Sequence, residues 1–314
     1  MSKIDYLKYR YVFIIISLLV IISGIVYGLI TGYKYDIDFK GGVTIQADIN
    51  EEFNNVDIEN LVMDITGINP LVQKTTSGNN SVSISIEPIE AEKLDKVVEA
   101  LKGKYTKISE PSTRNIQPAY GRELLDSAIL AVGVAVVIIL LYVSIRFKTL
   151  GVTAAITAIL ALIHDVLFVI AIYGIIKFPI NSTFVAVILT IVGYSINDTI
   201  VLYDKIRENK KKITRSKDLK DTINFSISQT MGRTIMTSVT TIVTVVTVFI
   251  FATIYSQQVL KEFSLPLIIG VAVGTYSSIF IASSSWYMLE TLLKNIREKR
   301  SSKLKEKNKG SKKK

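Results

Sequence analysis

TIVGYSINDTIVLYDKIREN, residues 190–209, decides how the rest of the chain is read. Its first half is apolar enough to enter a membrane, yet Asp198 lies inside it, between Asn197 and Thr199. The stretch then runs into a dense basic segment, residues 205–212. A carboxylate in a hydrocarbon span costs roughly 2.5–3.5 kcal/mol on insertion scales, so it is rare without a partner or a task.

Outward from this stretch, apolar runs recur at 11–30, 124–144, 150–172, 184–203, 235–255 and 265–292. Each is about the length of a helix that crosses ~30 Å of hydrocarbon. Of the 314 residues, 49% are hydrophobic. The expectation is an α-helical membrane protein with six transmembrane helices. The first run is long for a signal-peptide core and reads as a retained anchor.

The net charge of +10 looks like a nucleic-acid signature until it is located. Residues 294–314 hold eleven Lys/Arg and two Glu, so the rest of the chain is nearly neutral. A terminal lysine run is ordinarily a solvated tail. Contact with anionic lipid head groups or ribosomal RNA is the sharper alternative, and no specific nucleic acid is expected. The sequence has no cysteine, which removes disulfides and thiolate chemistry. It has no phosphate-binding G-x-x-x-x-G-K-[ST] loop. One histidine among scattered carboxylates offers no metal-ligand spacing and no nucleophile–base set. No enzyme activity, metal or cofactor is expected.

Basic residues flanking the spans set orientation. Lys3, Lys8 and Arg10 precede the first span, Arg146 and Lys148 separate the second and third, and eight Lys/Arg lie between Lys205 and Lys220. The lysine tail follows the sixth. Both termini are then expected in the cytoplasm, with residues 31–123 outside. The domains follow as 1–30 (N-terminus and first span), 31–123, 124–293 (five further spans) and 294–314 (basic tail).

Residues 31–123 have globular composition. A strand is expected at 37–49, interrupted at Gly41-Gly42, then a helix at 57–66 ending at Gly67. Strands at 71–76 and 81–87 flank Ser77-Gly78-Asn79-Asn80, with Val82, Ile84 and Ile86 alternating as a half-buried strand requires. A helix at 89–101 and a strand at 105–109 complete a βαββαβ order, the ferredoxin-like plan of an α+β domain. The paired glycines in DFKGG (38–42) suggest a bend or close backbone approach; a contact with a moving substrate segment is the sharper reading.

Polar groups inside the spans give the candidate site. At ~1.5 Å per residue, Asp198 lies ~9 Å from the cytoplasmic end of its span, and Arg233 a few Å into the next. Packed side by side they would pair. His164 and Asp165 lie ~23 Å deep by the same rise, offset from Asp198. That offset argues against an intramembrane protease built from the three. His164 is a candidate proton shuttle or a hydrogen-bonded buried histidine. The fifth span carries Thr234, Thr237, Thr241 and Thr244 near one stripe. Such hydroxyls mostly bond their own backbone, and a hydroxyl-lined proton path is the alternative. Gly270 and Gly274 have the small-x-x-x-small spacing of close helix packing, here expected to face a partner subunit.

The chain resembles the SecF family of the bacterial protein-export machinery over nearly its whole length. The resemblance rests on GYSINDTIVLYDKIREN (193–209), QTMGRTIMTSVTT (229–241) and GTYSSIFIAS (274–283), with DFKGG (38–42) and His164-Asp165 adding to it. Gln117 stands before Pro118 where the family tends to have glycine. The resemblance implies an RND-type half-transporter of the bacterial cytoplasmic membrane. It would pair with SecD and assist the SecYEG translocon in moving unfolded preprotein, using the proton motive force. It also marks Asp198 and Arg233 as the candidates for proton coupling. His164, Asp165, Asn197, Thr237 and Thr241 are secondary candidates for the proton path, and Gly41, Gly42, Gly270 and Gly274 are structural. Two rival readings are a proton-driven small-molecule exporter half and a scaffold of the translocon that transports nothing.

Overall fold

The computed structural model describes residues 5–75, 80–147, 150–212, 218–255 and 257–311. Lys3, Lys148, the connection at 76–79 and the last three lysines lie outside them. A short 3-10 turn, Tyr6–Tyr9, leads into α1 (Arg10–Thr31). After a compact α/β unit come α5 (Pro118–Arg146), α6 (Val152–Ile176), α7 (Ser182–Lys212) and α8 (Leu219–Ile254). The last long helix has three parts: α9 (Gln258–Ser277), a five-residue π-turn (Ser278–Ala282) and α10 (Ser283–Ser311). Among the described residues, six helical segments are long and apolar enough to cross a membrane.

The fifth span was expected from Ile235, but α8 begins at Leu219. Its first four turns are hidden by composition, because Thr222, Asn224, Ser226 and Thr230 point inward. Ser226 and Thr230 back-bond to carbonyls of their own helix, at 2.8 and 3.1 Å. The Asn209 amide donates to Ser226 and Gln229, both at 2.9 Å, and zips the end of α7 to α8.

The α/β unit comprises α2 (Ile37–Lys40), β1 (Gly42–Asp48), α3 (Asn55–Thr66), β2 (Leu71–Thr75), β3 (Ser81–Ile86), α4 (Ala91–Lys104) and β4 (Ser112–Ile116). The strands form one sheet in the order β2-β3-β1-β4, and every neighbouring pair is antiparallel. Val43, Ile45, Val82, Ile84 and Ile86 turn one face to α3 and α4, where Ile58, Val62, Val97 and Leu101 bury against them. The last strand is not at 105–109. Tyr105 instead caps α4, its N–H bonding the Leu101 carbonyl at 2.9 Å. The strand at β4 is an edge exposed at every position but Ile116, so it has no alternation to read.

The strand expected at 37–49 starts only at Gly42. Residues 37–40 form the single turn α2, capped by the Asp36 carboxylate on the Ile37 N–H at 2.7 Å. Gly42 has φ +145, and a Cβ there would sit 2.3 Å from the Ile86 carbonyl oxygen, so no other residue fits. This turn joins the sheet to the membrane helices. The Asp36 N–H bonds the Ile180 carbonyl at 3.0 Å, and Ile180 N–H returns to Lys34 at 2.8 Å. The Asp38 carboxylate accepts from the Ser182 N–H (3.2 Å) and hydroxyl (2.6 Å), capping the start of α7.

Candidate functional site

The middle of α7 divides into two faces. Ile191, Ser195, Thr199 and Leu202 are buried against α6 and the α9–α10 helix, whereas Thr190, Gly193 and Asn197 form an exposed stripe at helical spacing. Gly270 and Gly274 allow the inner packing. A Cβ at Gly270 would meet Ile191 at 2.2 Å, and one at Gly274 would touch Ser195 at 3.0 Å. The small-residue pair expected to face a partner subunit therefore packs within this chain, because α7 supplies the surface it needs.

Asp198 sits at the border of the two faces. It is 4% exposed, and its Oδ2 is enclosed without a hydrogen-bond partner. Arg233, on the neighbouring α8, is exposed. The expected ion pair is not formed: among the described residues, no cation lies within 4.0 Å of the Asp198 carboxylate. Arg233 is near enough to act on Asp198 through its field but not by contact. The two nevertheless lie at matching heights, Asp198 fourteen residues before the end of α7 at Lys212 and Arg233 fourteen after the start of α8 at Leu219, so the expected depth holds and the contact does not. Asn197 lies next to Asp198 on the exposed stripe.

The threonine stripe on α8 is satisfied by its own helix. Thr237 bonds the carbonyl of Arg233 at 3.1 Å, and Thr241 that of Thr237 at 2.9 Å. Thr240 and Thr244 do the same. This is the local back-bonding expected of hydroxyls in apolar helices. Thr237 and Thr241 thus offer acceptor lone pairs but no free donors.

His164 and Asp165 belong to a different assembly, one that the spacing of residues did not reveal. Asp165 is 0% exposed. Its Oδ2 accepts the Ser195 hydroxyl of α7 and the Ser277 hydroxyl of α9, the latter at 2.8 Å. Its Oδ1 lies 2.9 Å from His164 Nδ1. With the hydrogen on Nδ1, the imidazole donates to Asp165 and Nε2 accepts from the Ser17 hydroxyl of α1. One carboxylate thereby ties together α1, α6, α7 and α9. The π-turn lies beside it and lets consecutive residues face the same seam. Ser277 reaches Asp165, and Ser278 reaches Thr199 at 2.9 Å and the Ser195 carbonyl at 3.3 Å. Widened turns of this kind are concentrated at functional sites.

No group of three or more His, Cys, Asp or Glu that could hold a metal occurs among the described residues. The site is made of two carboxylates, one guanidinium, one imidazole and hydroxyls. Such groups can take up and release protons.

Residues 96–292 match the family model described as protein export membrane protein SecD/SecF, C-terminal. This chain belongs to the SecD/SecF family. It is 35% identical to the protein translocase subunit SecF of Borreliella burgdorferi, over 89% of this chain and 95% of that protein. To the protein translocase subunit SecDF of Bacillus subtilis it is 34% identical, over 91% of this chain but 38% of that longer protein. Among solved structures, the translocon-associated SecDF of Thermus thermophilus superposes with a TM-score of 0.81 at 29% identity, covering 92% of this chain and 39% of that one. A super-membrane-facing form of SecDF superposes at 0.70, covering 95% and 40%. The chain thus spans a SecF almost completely and well under half of a SecDF. As a SecD/SecF family member with six spanning helices, it is a multi-pass membrane protein.

Proposed function

We propose that this chain is a SecF-type accessory subunit of Sec protein export. In this reading it pairs with SecD, works beside the SecYEG translocon on unfolded preprotein, and couples that work to the proton motive force through Asp198 and Arg233. The observation that carries the reading is the half-finished state of the Asp198 site. A buried carboxylate oxygen lacks a partner. Arg233, Asn197 and the open glycines Gly193 and Gly232 lie on the uncovered face around it. Polar groups on a lipid-facing surface are costly, so such a face calls for a second set of helices. The relatives named SecDF are longer, with this chain covering 38% and 39% of them, which leaves room for one.

The sheet order β2-β3-β1-β4 with two covering helices supports a ferredoxin-like domain at 31–123, between helices at 1–30 and 124–293 and a basic tail at 294–314. Basic residues at the end of the bundle opposite the sheet support an extracytoplasmic sheet and cytoplasmic termini. Because the chain has no cysteine, single Glu87→Cys and Ser301→Cys variants test this directly. An impermeant thiol reagent on intact cells labels the first and spares the second; the reverse pattern inverts the topology.

Protonating Asp198 removes a charge from the seam between α7 and α8, and neutralisation shifts the balance between two packings of those helices. One charge moved through 100 mV supplies ~2.3 kcal/mol, enough to bias such a balance. The test is preprotein export into inverted vesicles carrying the assembled complex, with and without a proton gradient. Asp198→Asn and Arg233→Ala lose the gradient-dependent stimulation and keep ATP-driven translocation. Full stimulation in Asp198→Asn would move the proton route to His164 and Asp165.

A further inference from the structure

At the end of the bundle opposite the sheet, α1, α6 and α10 leave a slot of about 670 Å³. Its walls are apolar, with Ile14, Leu160, Met288 and Leu292. Its mouth carries Arg10, Tyr11, Tyr287 and Asn295. The Arg10 guanidinium lies over two of these rings, 4.6 Å from the centre of Tyr11 and 5.5 Å from that of Tyr287. One Nη donates to the Leu7 carbonyl at 2.9 Å. The Nε–H is enclosed and meets no acceptor.

Arg10 also lacks a counter-ion. Among the described residues it forms no ion pair, and Asp5, on the preceding segment, is held by Lys220 at 2.5 Å. An aromatic-flanked guanidinium without a counter-ion suits a planar or tetrahedral oxyanion on its outer nitrogens. The apolar walls directly beneath it would remain uncovered by an inorganic anion. The exposed Lys8, Lys294 and Arg297 at the same end make the surroundings positive. Charge above and hydrocarbon below describe a lipid standing in its own leaflet.

We propose that this slot binds one anionic glycerophospholipid, with its phosphate on Arg10 between Tyr11 and Tyr287 and an acyl chain against Met288 and Leu292. The inference rests on the helices spanning a membrane and is independent of protein export. A bound lipid here would wedge α1 against α10, the two helices that carry the ends of the chain.

The full-length chain, purified in a neutral detergent, is titrated with phosphatidylglycerol, phosphatidylcholine or inorganic phosphate. Native mass spectrometry counts bound lipid, and the unfolding midpoint reports occupancy. A ligand held by the folded state alone raises that midpoint. Phosphatidylglycerol gives a one-to-one adduct and a rise in midpoint, and phosphatidylcholine binds at least tenfold more weakly. Arg10→Gln reduces phosphatidylglycerol affinity tenfold or more. So does Met288→Trp, which fills the slot while leaving Arg10 in place; Arg297→Gln changes it less than threefold. Equal binding of the two lipids, unchanged affinity in both Arg10→Gln and Met288→Trp, or the same midpoint rise with phosphate alone would overturn the proposal. Since the readout is lipid binding by the purified chain, failure of the export reading leaves it standing.

Discussion

Asp165 and Asp198 are both carboxylates buried in membrane-spanning helices, and Ser195, which bonds the first, is three residues from the second. Their surroundings differ in kind. Asp165 has hydroxyls from α7 and α9 on one oxygen and an imidazole on the other. Asp198 has an enclosed oxygen with no donor at all, and a guanidinium held off on an open face. A buried carboxyl group surrounded by donors holds helices together. A buried carboxyl left short is free to change its state, and on the reading proposed here a partner supplies what it lacks. The first is a fastening complete within one polypeptide; the second is not completed within it.

Exchanging the two carboxylates for residues that cannot ionise gives the largest contrast. Asp198→Asn removes all gradient-dependent stimulation of export, while the unfolding midpoint and recovery of the complex stay at wild-type level. Asp165→Ala does the reverse. It strands the Ser195, Ser277 and His164 donors and lowers stability by about 2–4 kcal/mol, between the value for a lost charged hydrogen-bond set and the smaller means measured in membranes. Reversible unfolding in mixed micelles measures it. A stable Asp165→Ala beside an unfolded Asp198→Asn would invert the comparison.

A second contrast uses glycines on the two faces of the same seam. Gly270→Leu drives a side chain into Ile191 and costs about 1–3 kcal/mol by overpacking, visible in the isolated chain. Gly232 has no neighbour within 4 Å of a built Cβ. Gly232→Leu therefore leaves the isolated chain unchanged and lowers co-purification of SecD. Unchanged recovery would remove that face from the subunit contact.

The smallest effect sharpens the comparison from outside the membrane. Burial holds the Asp36 carboxyl above its ordinary range, partly offset by the Ile37 N–H it accepts. A raised carboxyl pKa means that the folded state keeps its proton more readily than the unfolded one. The penalty is absent below the ordinary value of 3.8 and grows as pH rises through the folded value. Asp36→Asn keeps the acceptor and cannot ionise, so it raises the unfolding midpoint at pH 7 by roughly 1–2 °C, and the gain vanishes in acid. A drop at pH 7 would show that the carboxylate charge is needed there, with Arg114 its nearest claimant.

Much of this fold was legible because long apolar runs and the alternation of Val82, Ile84 and Ile86 leave few choices. What escaped did so for physical reasons. The polar first turns of α8 bury small hydroxyls that satisfy themselves, and hydropathy does not see them. The exposed strand β4 has no inward face to pattern. DFKGG was legible as a bend, but not as a cap on a helix 144 residues away. Asp198 stood out because one charge in a span is conspicuous. The Asp165 cluster draws its members from four helices, and only their packing brings Ser17, Ser195 and Ser277 together. The spacing of Gly270 and Gly274 announced a close contact without naming the helix that makes it.

Asp38 gives the sheet a grip on the helix that carries Asp198. From Ser182, where that grip is made, to Asp198 runs an unbroken helix of about 24 Å at the usual rise. In mechanical terms it is a push-rod with a pin at one end. A charge falling through 100 mV and delivering its ~2.3 kcal/mol over one helical turn of ~5.4 Å exerts roughly 30 pN. The pin that would bear such a load is one carboxylate, two hydrogen bonds from Ser182 and the short pairing of Tyr35 with Ile180. If Asp198 carries the coupling proposed above, traction on the sheet would reach it along this rod, and coupling of this kind is reciprocal: a pull on the sheet would then alter how readily that carboxylate takes up a proton.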